Sequence, residues 1–205
     1  MYYHILDQKR AALLPKLASF KEAFYLAGGT GLAFHLGHRT SIDFDFFGEQ
    51  NFDTSRLFLD LKDILSGFDL KKIQEEKNTL TFLADGIQIS FFTYPYDLLE
   101  SPIVEPYLRI ASVLDIGCMK LSAIVGRPSM KDYVDLHFIL KTRSLSDLLA
   151  AVKKKMPDID IQLILKSLVY FNDIEPEKLN FLPDHQVTFE EVQKDLVEKT
   201  KKVVK

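Results

Sequence analysis

The sequence predicts an α+β fold in which a mixed sheet with flanking helices is followed by a bundle of helices. Three observations carry this. Ile42–Phe47 reads Ile-Asp-Phe-Asp-Phe-Phe, the alternation of a strand with one apolar face. Three more strand-like runs lie between Phe68 and Phe92, and Asp85-Gly86, a tight-hairpin dipeptide, separates the last two. From Ser112 onward the pattern becomes helical.

The first element is a helix over residues 8–22, where Ala12, Leu13, Leu14, Leu17 and Phe20 fall near helical spacing. A short apolar strand, 24–27, runs into Gly28-Gly29, and a helix over 30–36 is stopped by Gly37. The alternating strand 42–47 follows, then an amphipathic helix over 54–65 with Leu57, Leu61, Ile64 and Leu65 on its inner side. Strands are expected at 68–74, 79–83 and 87–92. Tyr94-Pro95-Tyr96, Pro102 and Pro106 mark a loop-rich crossing. Ser112 with Asp115 three residues on is a capping-box-like helix start, and Gly126 with Pro128 is its stop. Ser129 with Asp132 predicts a second start of the same kind. Further helices are expected over 146–156, 161–170 and 189 to about 204. The two halves divide into 1–108 and 109–205, sharing one cleft.

Composition narrows the class. The chain of 205 residues is 47% hydrophobic and 27% charged, ordinary values for a globular protein. A net charge of -3 provides no global field for nucleic acid, so any such contact must come from a local patch. Lys153-Lys154-Lys155 and the lysines from Lys199 to Lys205 are the visible candidates, although such runs are usually solvated surface. Cys118 is the single cysteine, so no internal disulfide forms. It sits in an apolar helix and reads as core. The first ten residues carry charges where a signal peptide needs its apolar core, and no apolar run approaches the roughly 20 residues of a membrane span. A soluble, cytoplasmic protein is expected.

Chemistry concentrates in residues 26–47. Glycines let a backbone approach a phosphate, and the helix they open presents free N–H groups and a positive dipole end, which makes Gly28, Gly29 and Thr30 candidate nucleotide contacts. Asp43 and Asp45 are two apart on a strand and share a face. Such a pair can hold Mg²⁺ or Mn²⁺, the remaining positions being filled by water and phosphate oxygens. It can equally be the wet face of an edge strand. Arg39 precedes the strand, and its fork suits phosphate oxygens. His35 and His38 have metal-ligand spacing, but no cysteine or third histidine completes a zinc site.

Gly28-Gly29-Thr30 followed by Asp43-Phe44-Asp45 resembles the first motif of the nucleotidyltransferase superfamily, with its polymerase-β-like fold. Asp115-x4-Lys120 and Lys131-Asp132-x-x-Asp135-Leu136 resemble the third and fourth motifs of its AbiEii/AbiGii toxin-type branch. The resemblance runs from about Phe24 to Leu140. It implies a nucleotidyltransferase-like mixed sheet and transfer of a nucleoside monophosphate from an NTP, with Mg²⁺, to an RNA (tRNA-like) or protein acceptor. It also implies a role as a toxin paired with an antitoxin or acting in phage defence by abortive infection.

Read beside that resemblance, Lys120 becomes a candidate phosphate or transition-state contact; on its own it could equally snorkel to solvent. Asp115 lies about 140° around the helix from Lys120 and is better explained as the partner of Ser112. Asp132 sits at a cap-partner position, whereas Asp135 lies inside an apolar run and needs a partner. Asp135 is therefore favoured as catalytic, beside Asp45 and Lys120, with a structural ion pair to Lys120 as the competing account. Superfamily members commonly carry a third carboxylate on a later strand. Here that strand offers Gln88 and Ser90 on its polar face. The alternative to an active enzyme is thus a nucleotide-binding protein on the same fold with impaired turnover. Binding of DNA through the C-terminal helices has little support, since those helices are not distinctly basic.

Overall fold

The strand signals between Phe68 and Phe92 close into one side of a seven-stranded mixed sheet. In the computed structural model, which describes residues 1–204, the order of elements is α1 (Gln8–Leu17), β1 (Tyr25–Leu26), α2 (Gly28–Leu36), β2 (Phe44–Gly48), α3 (Thr54–Ile64), β3 (Leu70–Glu76), β4 (Thr79–Ala84) and β5 (Ile87–Thr93). Then come β6 (Ile103–Val104), β7 (Arg109–Ile110), α4 (Val113–Gly126), α5 (Met130–Ile139), α6 (Leu145–Lys155), α7 (Ile161–Ser167) and α8 (Phe189–Val204). The strands run in the order β3-β4-β5-β2-β1-β7-β6. The β2–β5 and β1–β7 pairs are parallel and the others antiparallel. The α+β class expected above is the observed one. No described helix is long and apolar enough to cross a membrane.

The β4–β5 turn is the hairpin that Asp85-Gly86 predicts, with positive φ at both residues. Two differences have physical causes. β6 and β7 lie in the stretch expected to be loop; at two residues each they are too short to show a period. β7 nonetheless hydrogen-bonds to β1, so the sheet continues just past residue 108. The first helix is also shorter than expected. It contains Pro15 and gives way after Leu17 to a 3-10 turn, Ala18–Phe20.

The sheet separates two apolar clusters. Phe44 and Phe46 of β2, Leu80 and Phe82 of β4 and Ile89 and Phe91 of β5 face Leu13, Leu17, Leu57, Leu61 and Leu65 from α1, α3 and the residue after α3. Stacking of Phe46 on Phe91, with centroids 5.1 Å apart, ties β2 to β5 on that face. On the other face, Tyr25 and Ala27 join a core of Ile116, Leu121, Leu136, Leu148 and their neighbours in the helical half. The intervening β2 residues, including Asp45, therefore point toward the helices.

Candidate active site

Two elements of the sheet half supply the first group of candidate residues. The start of α2 follows Ala27, whose side chain cannot cap, so its first N–H groups have no side-chain acceptor. Gly28, at φ +62°, lies directly against the metal-candidate pair: a Cβ there would meet Asp45 Oδ2 at 2.9 Å. Gly29 is packed as closely, since a Cβ there would meet Arg39 Nη2 at 2.6 Å. The glycines thus permit close approach of Asp45 and Arg39 as well as of any ligand. The buried Thr30 hydroxyl donates to the Asp43 carbonyl. That bond holds Asp43 just ahead of β2, so the strand begins at Phe44, two residues later than expected.

Asp43 and Asp45 are half-buried, and burial pushes both carboxyls above their ordinary value. The charge of Asp43 raises Asp45 further, while Lys120, Lys131 and Arg127 act in the opposite sense. Such a pair is poorly compensated by protein alone, which suits a divalent cation. No third acid joins it: among the described residues no cluster of three or more metal-ligating side chains occurs. Ser90 pairs in register with Asp45 across β2–β5, is buried, and accepts a 3.2 Å hydrogen bond from Thr81 on β4.

The second group comes from α4 and α5, whose Lys120 lowers the Asp45 pKa by its charge. Lys120 is buried, and its ammonium donates to Asp132 Oδ1 at 2.7 Å and lies 2.6 Å from Asp135 Oδ2. Burial opposes its charge, but Asp135 and Asp132 together hold its pKa above the ordinary lysine value. Asp135 also accepts from Arg39 Nε at 2.7 Å, Arg39 Nη2 at 2.8 Å and His38 Nε2 at 2.9 Å. Burial alone would raise its pKa, yet Lys120, Arg39 and His38 hold it well below the usual carboxylate range. That carboxylate therefore accepts three hydrogen bonds and pairs with the Lys120 ammonium, all from protein groups. Asp132 differs: its Oδ2 is buried with no partner.

Several expectations change on this geometry. Ser129 does not cap α5 through its side chain; its hydroxyl donates to Glu177, and Asp132 has turned to Lys120. Arg39 lies against Gly29 but directs its fork at Asp135, and its Nη1 donates to the Thr40 carbonyl at 3.1 Å. Lys155, expected at the surface, is buried in an ion pair with Asp115 at 2.8 Å. His35 Nε2 donates to the Ala111 carbonyl at 2.8 Å and His38 Nε2 to Asp135 Oδ1, so the two histidines turn to different partners. Cys118 is core, its thiol pushed up to about 12 chiefly by burial. Ser112 caps α4 as expected, accepting from Asp115 N at 3.0 Å. Lys131 and Arg127, whose charges reach Asp45, were not singled out as candidate site residues. Lys131 stood in the motif beside Asp132, and Arg127 carried only its position at the α4–α5 turn. Two surface pockets lie elsewhere, one lined by Phe24, Glu49, Phe52 and Arg109 and the other by Pro95, Leu98 and Lys154.

Residues 12–202 match the family model described as nucleotidyl transferase AbiEii toxin, type IV TA system. An uncharacterized protein of Aquifex aeolicus (strain VF5) is 44% identical over 184 residues, spanning 87% of this chain and 86% of the relative. Among solved structures, the nucleotidyltransferase toxin MenT4 from Mycobacterium tuberculosis superposes with a TM-score of 0.60 at 15% identity, covering 94% of this chain and 82% of that one. The protein JHP933 from Helicobacter pylori gives 0.57 at 19% identity, covering 99% and 93%. At those identities the structural likeness speaks for the fold, which is that of a nucleotidyltransferase. The family match spans most of the chain, including Gly28 to Asp135, and so the chain belongs to the AbiEii nucleotidyltransferase toxin family.

Proposed function

We propose that this nucleotidyltransferase binds an NTP between the start of α2 and the Lys120–Asp132 wall. It transfers the nucleoside monophosphate to a hydroxyl of an RNA (tRNA-like) or protein acceptor. The observation that carries the reading is the contact between an uncapped helix start and a carboxylate pair, seen in the 2.9 Å that a Gly28 Cβ would leave to Asp45 Oδ2. A phosphate site and a metal site then share one spot. Asp43 and Asp45 would hold Mg²⁺ or Mn²⁺, which when bound neutralises charge on the transferring phosphoryl group. The N–H groups of Gly28, Gly29 and Thr30 orient the triphosphate, and Lys120, Lys131 and Arg127 offset its charge. Asp132, with one open oxygen, is suited to take the proton of the acceptor hydroxyl as that oxygen bonds to the α-phosphorus and pyrophosphate leaves. Asp135 and Arg39 act through Lys120. The sheet half, 1–108, and the helical half, 109–205, work as two walls of one site.

In this reading the protein is a cytoplasmic toxin restrained by a cognate antitoxin and used in phage defence. Purified protein given α-labelled NTPs, Mg²⁺ and either total RNA or total protein should label one of the two. Label transfer that survives Asp45→Asn would remove the assigned site. Growth arrest on expression, relieved by the same substitution, checks the toxin role.

A further inference from the structure

The geometry points to His38 as a positioning residue for the transfer reaction, one that holds Asp135 so that Lys120 stays aimed into the cleft. This rests on the proposed role of Lys120 as a contact to the transferring phosphate. His38 lies in the turn after α2, fully buried, with its ring 4.9 Å from Phe138 on α5. Asp135 is an acceptor only, so the proton between them sits on His38 Nε2, and Nδ1 is the bare nitrogen. That Nδ1 is buried without a partner. A leucine would pack against Phe138 with no such penalty, so the histidine's compensation is its bond to Asp135.

The direction of that bond matters. Arg39 grips Asp135 from one side, Nε on Oδ1 and Nη2 on Oδ2, and Lys120 meets Oδ2. His38 adds a second donor at Oδ1, the oxygen Lys120 does not touch. It therefore keeps the carboxylate from pivoting about the Arg39 fork and carrying Oδ2 away from the ammonium. Lys120 donates one proton to Asp132 and forms an ion pair with Asp135, and an ammonium has three protons, which leaves one for a phosphate oxygen. A neutral donor is also what the cluster requires. Two carboxylates, Asp132 and Asp135, already face two cations, Lys120 and Arg39, and burial holds the His38 pKa down. The turn is itself tied to the segment before α8, where Leu182 N donates to the His38 carbonyl at 3.1 Å and Thr40 N to the Asn180 carbonyl at 2.9 Å.

The test compares His38→Leu, which keeps the packing and removes the donor, with His38→Gln, whose amide can reach the Nε2 position. In label transfer, His38→Leu should lower kcat roughly tenfold or more while KM for the NTP stays within about twofold, and His38→Gln should recover most of the loss. Reductive methylation of the free protein, read by mass spectrometry, follows Lys120 without any turnover. Lys120 should be protected in wild type and His38→Gln and modified in His38→Leu, with Lys155 protected throughout as the control for global opening. Protection of Lys120 in His38→Leu overturns the inference, as does a rise in KM at unchanged kcat. Equal loss in both variants overturns it too. Wild-type protein that transfers no label, yet shows the expected methylation pattern, would instead remove the functional reading and leave the His38 contact standing.

Discussion

Three helices of this protein begin with Ser-x-x-Asp, and in two of them, α4 and α5, the aspartate meets a buried lysine, yet those two outcomes differ. At the start of α4, Ser112 and Asp115 cap each other, and Asp115 accepts from Leu99 N at 2.9 Å, Glu100 N at 3.2 Å and Lys155 at 2.8 Å. Lys155 also donates to the Asp97 carbonyl. Every partner is protein, and the cluster pins the 97–100 loop between α4 and α6. At the start of α5, Ser129 bonds Glu177 and Asp132 bonds Lys120, while Asp132 Oδ2 and His38 Nδ1 have no partner. The first cluster is closed and the second is open. Buried polar atoms in folded proteins are nearly always satisfied, so the open cluster, whose Lys120 is near enough to Asp45 to lower its carboxyl pKa, holds unused hydrogen-bonding capacity that a ligand group would take up.

Removing each lysine should separate the two most sharply. Lys120→Met should lower transfer by roughly 10²–10³-fold, the usual cost of one donor to a developing charge. Lys155→Met should lower stability by about 3–5 kcal/mol, because Asp115 is left charged and buried. Its folded population should transfer at the wild-type rate. Steady-state assays below each variant's melting temperature and denaturant melts check both. An equal fall in turnover for the two would erase the distinction.

Acid behaviour breaks the comparison along a different line, within the cleft itself. Asp135 has a folded pKa well below its unfolded value of 3.8, so its stabilisation is complete above that pH and is lost as pH falls below it. Asp135→Asn should therefore flatten the acid limb of a stability profile and lower the melting temperature at neutral pH. Asp43 and Asp45 have the opposite sign. Their pKa values are raised above 3.8, so their stabilising contribution is present below that pH and is lost as pH rises through the raised values. Metal-free Asp45→Asn should melt higher than wild type at pH 7 while transferring nothing. Added Mg²⁺ should raise the melting temperature of wild type and leave that of Asp45→Asn unchanged.

What could be read from the chain follows the range of the interactions. The β4–β5 hairpin, the Ser112 cap and the Gly28–Asp45 juxtaposition depend on residues within about one motif of each other, and the alternation around Asp43 and Asp45 marks the candidate site directly. The Arg39 fork on Asp135 spans 96 residues, and the Lys155–Asp115 pair spans 40. Nothing local distinguishes Arg39 facing a phosphate from Arg39 facing a carboxylate, since both are planar anionic acceptors. Likewise a third lysine in a basic run carries no mark of burial. The competition for Asp132 was decided by Lys120, twelve residues away on another helix.

That competition supplies the smallest and most local test. A working cap is worth about 1 kcal/mol and an exposed side-chain bond much less. Ser112→Ala removes a cap and a 2.8 Å bond to a buried carboxylate, so it should cost about 1–2 kcal/mol. Ser144→Ala at α6, where Asp147 N donates to the hydroxyl at 3.1 Å on the exposed surface, should cost about 1 kcal/mol or less. Ser129→Ala removes only the outward bond to Glu177, so it should change stability by about 0.5 kcal/mol or less. Denaturant melts of the three variants give the ranking Ser112, Ser144, Ser129. If Ser129→Ala costs as much as Ser112→Ala, then Ser129 caps α5 in solution, Asp132 is drawn back to the helix start, and the second cluster is as closed as the first.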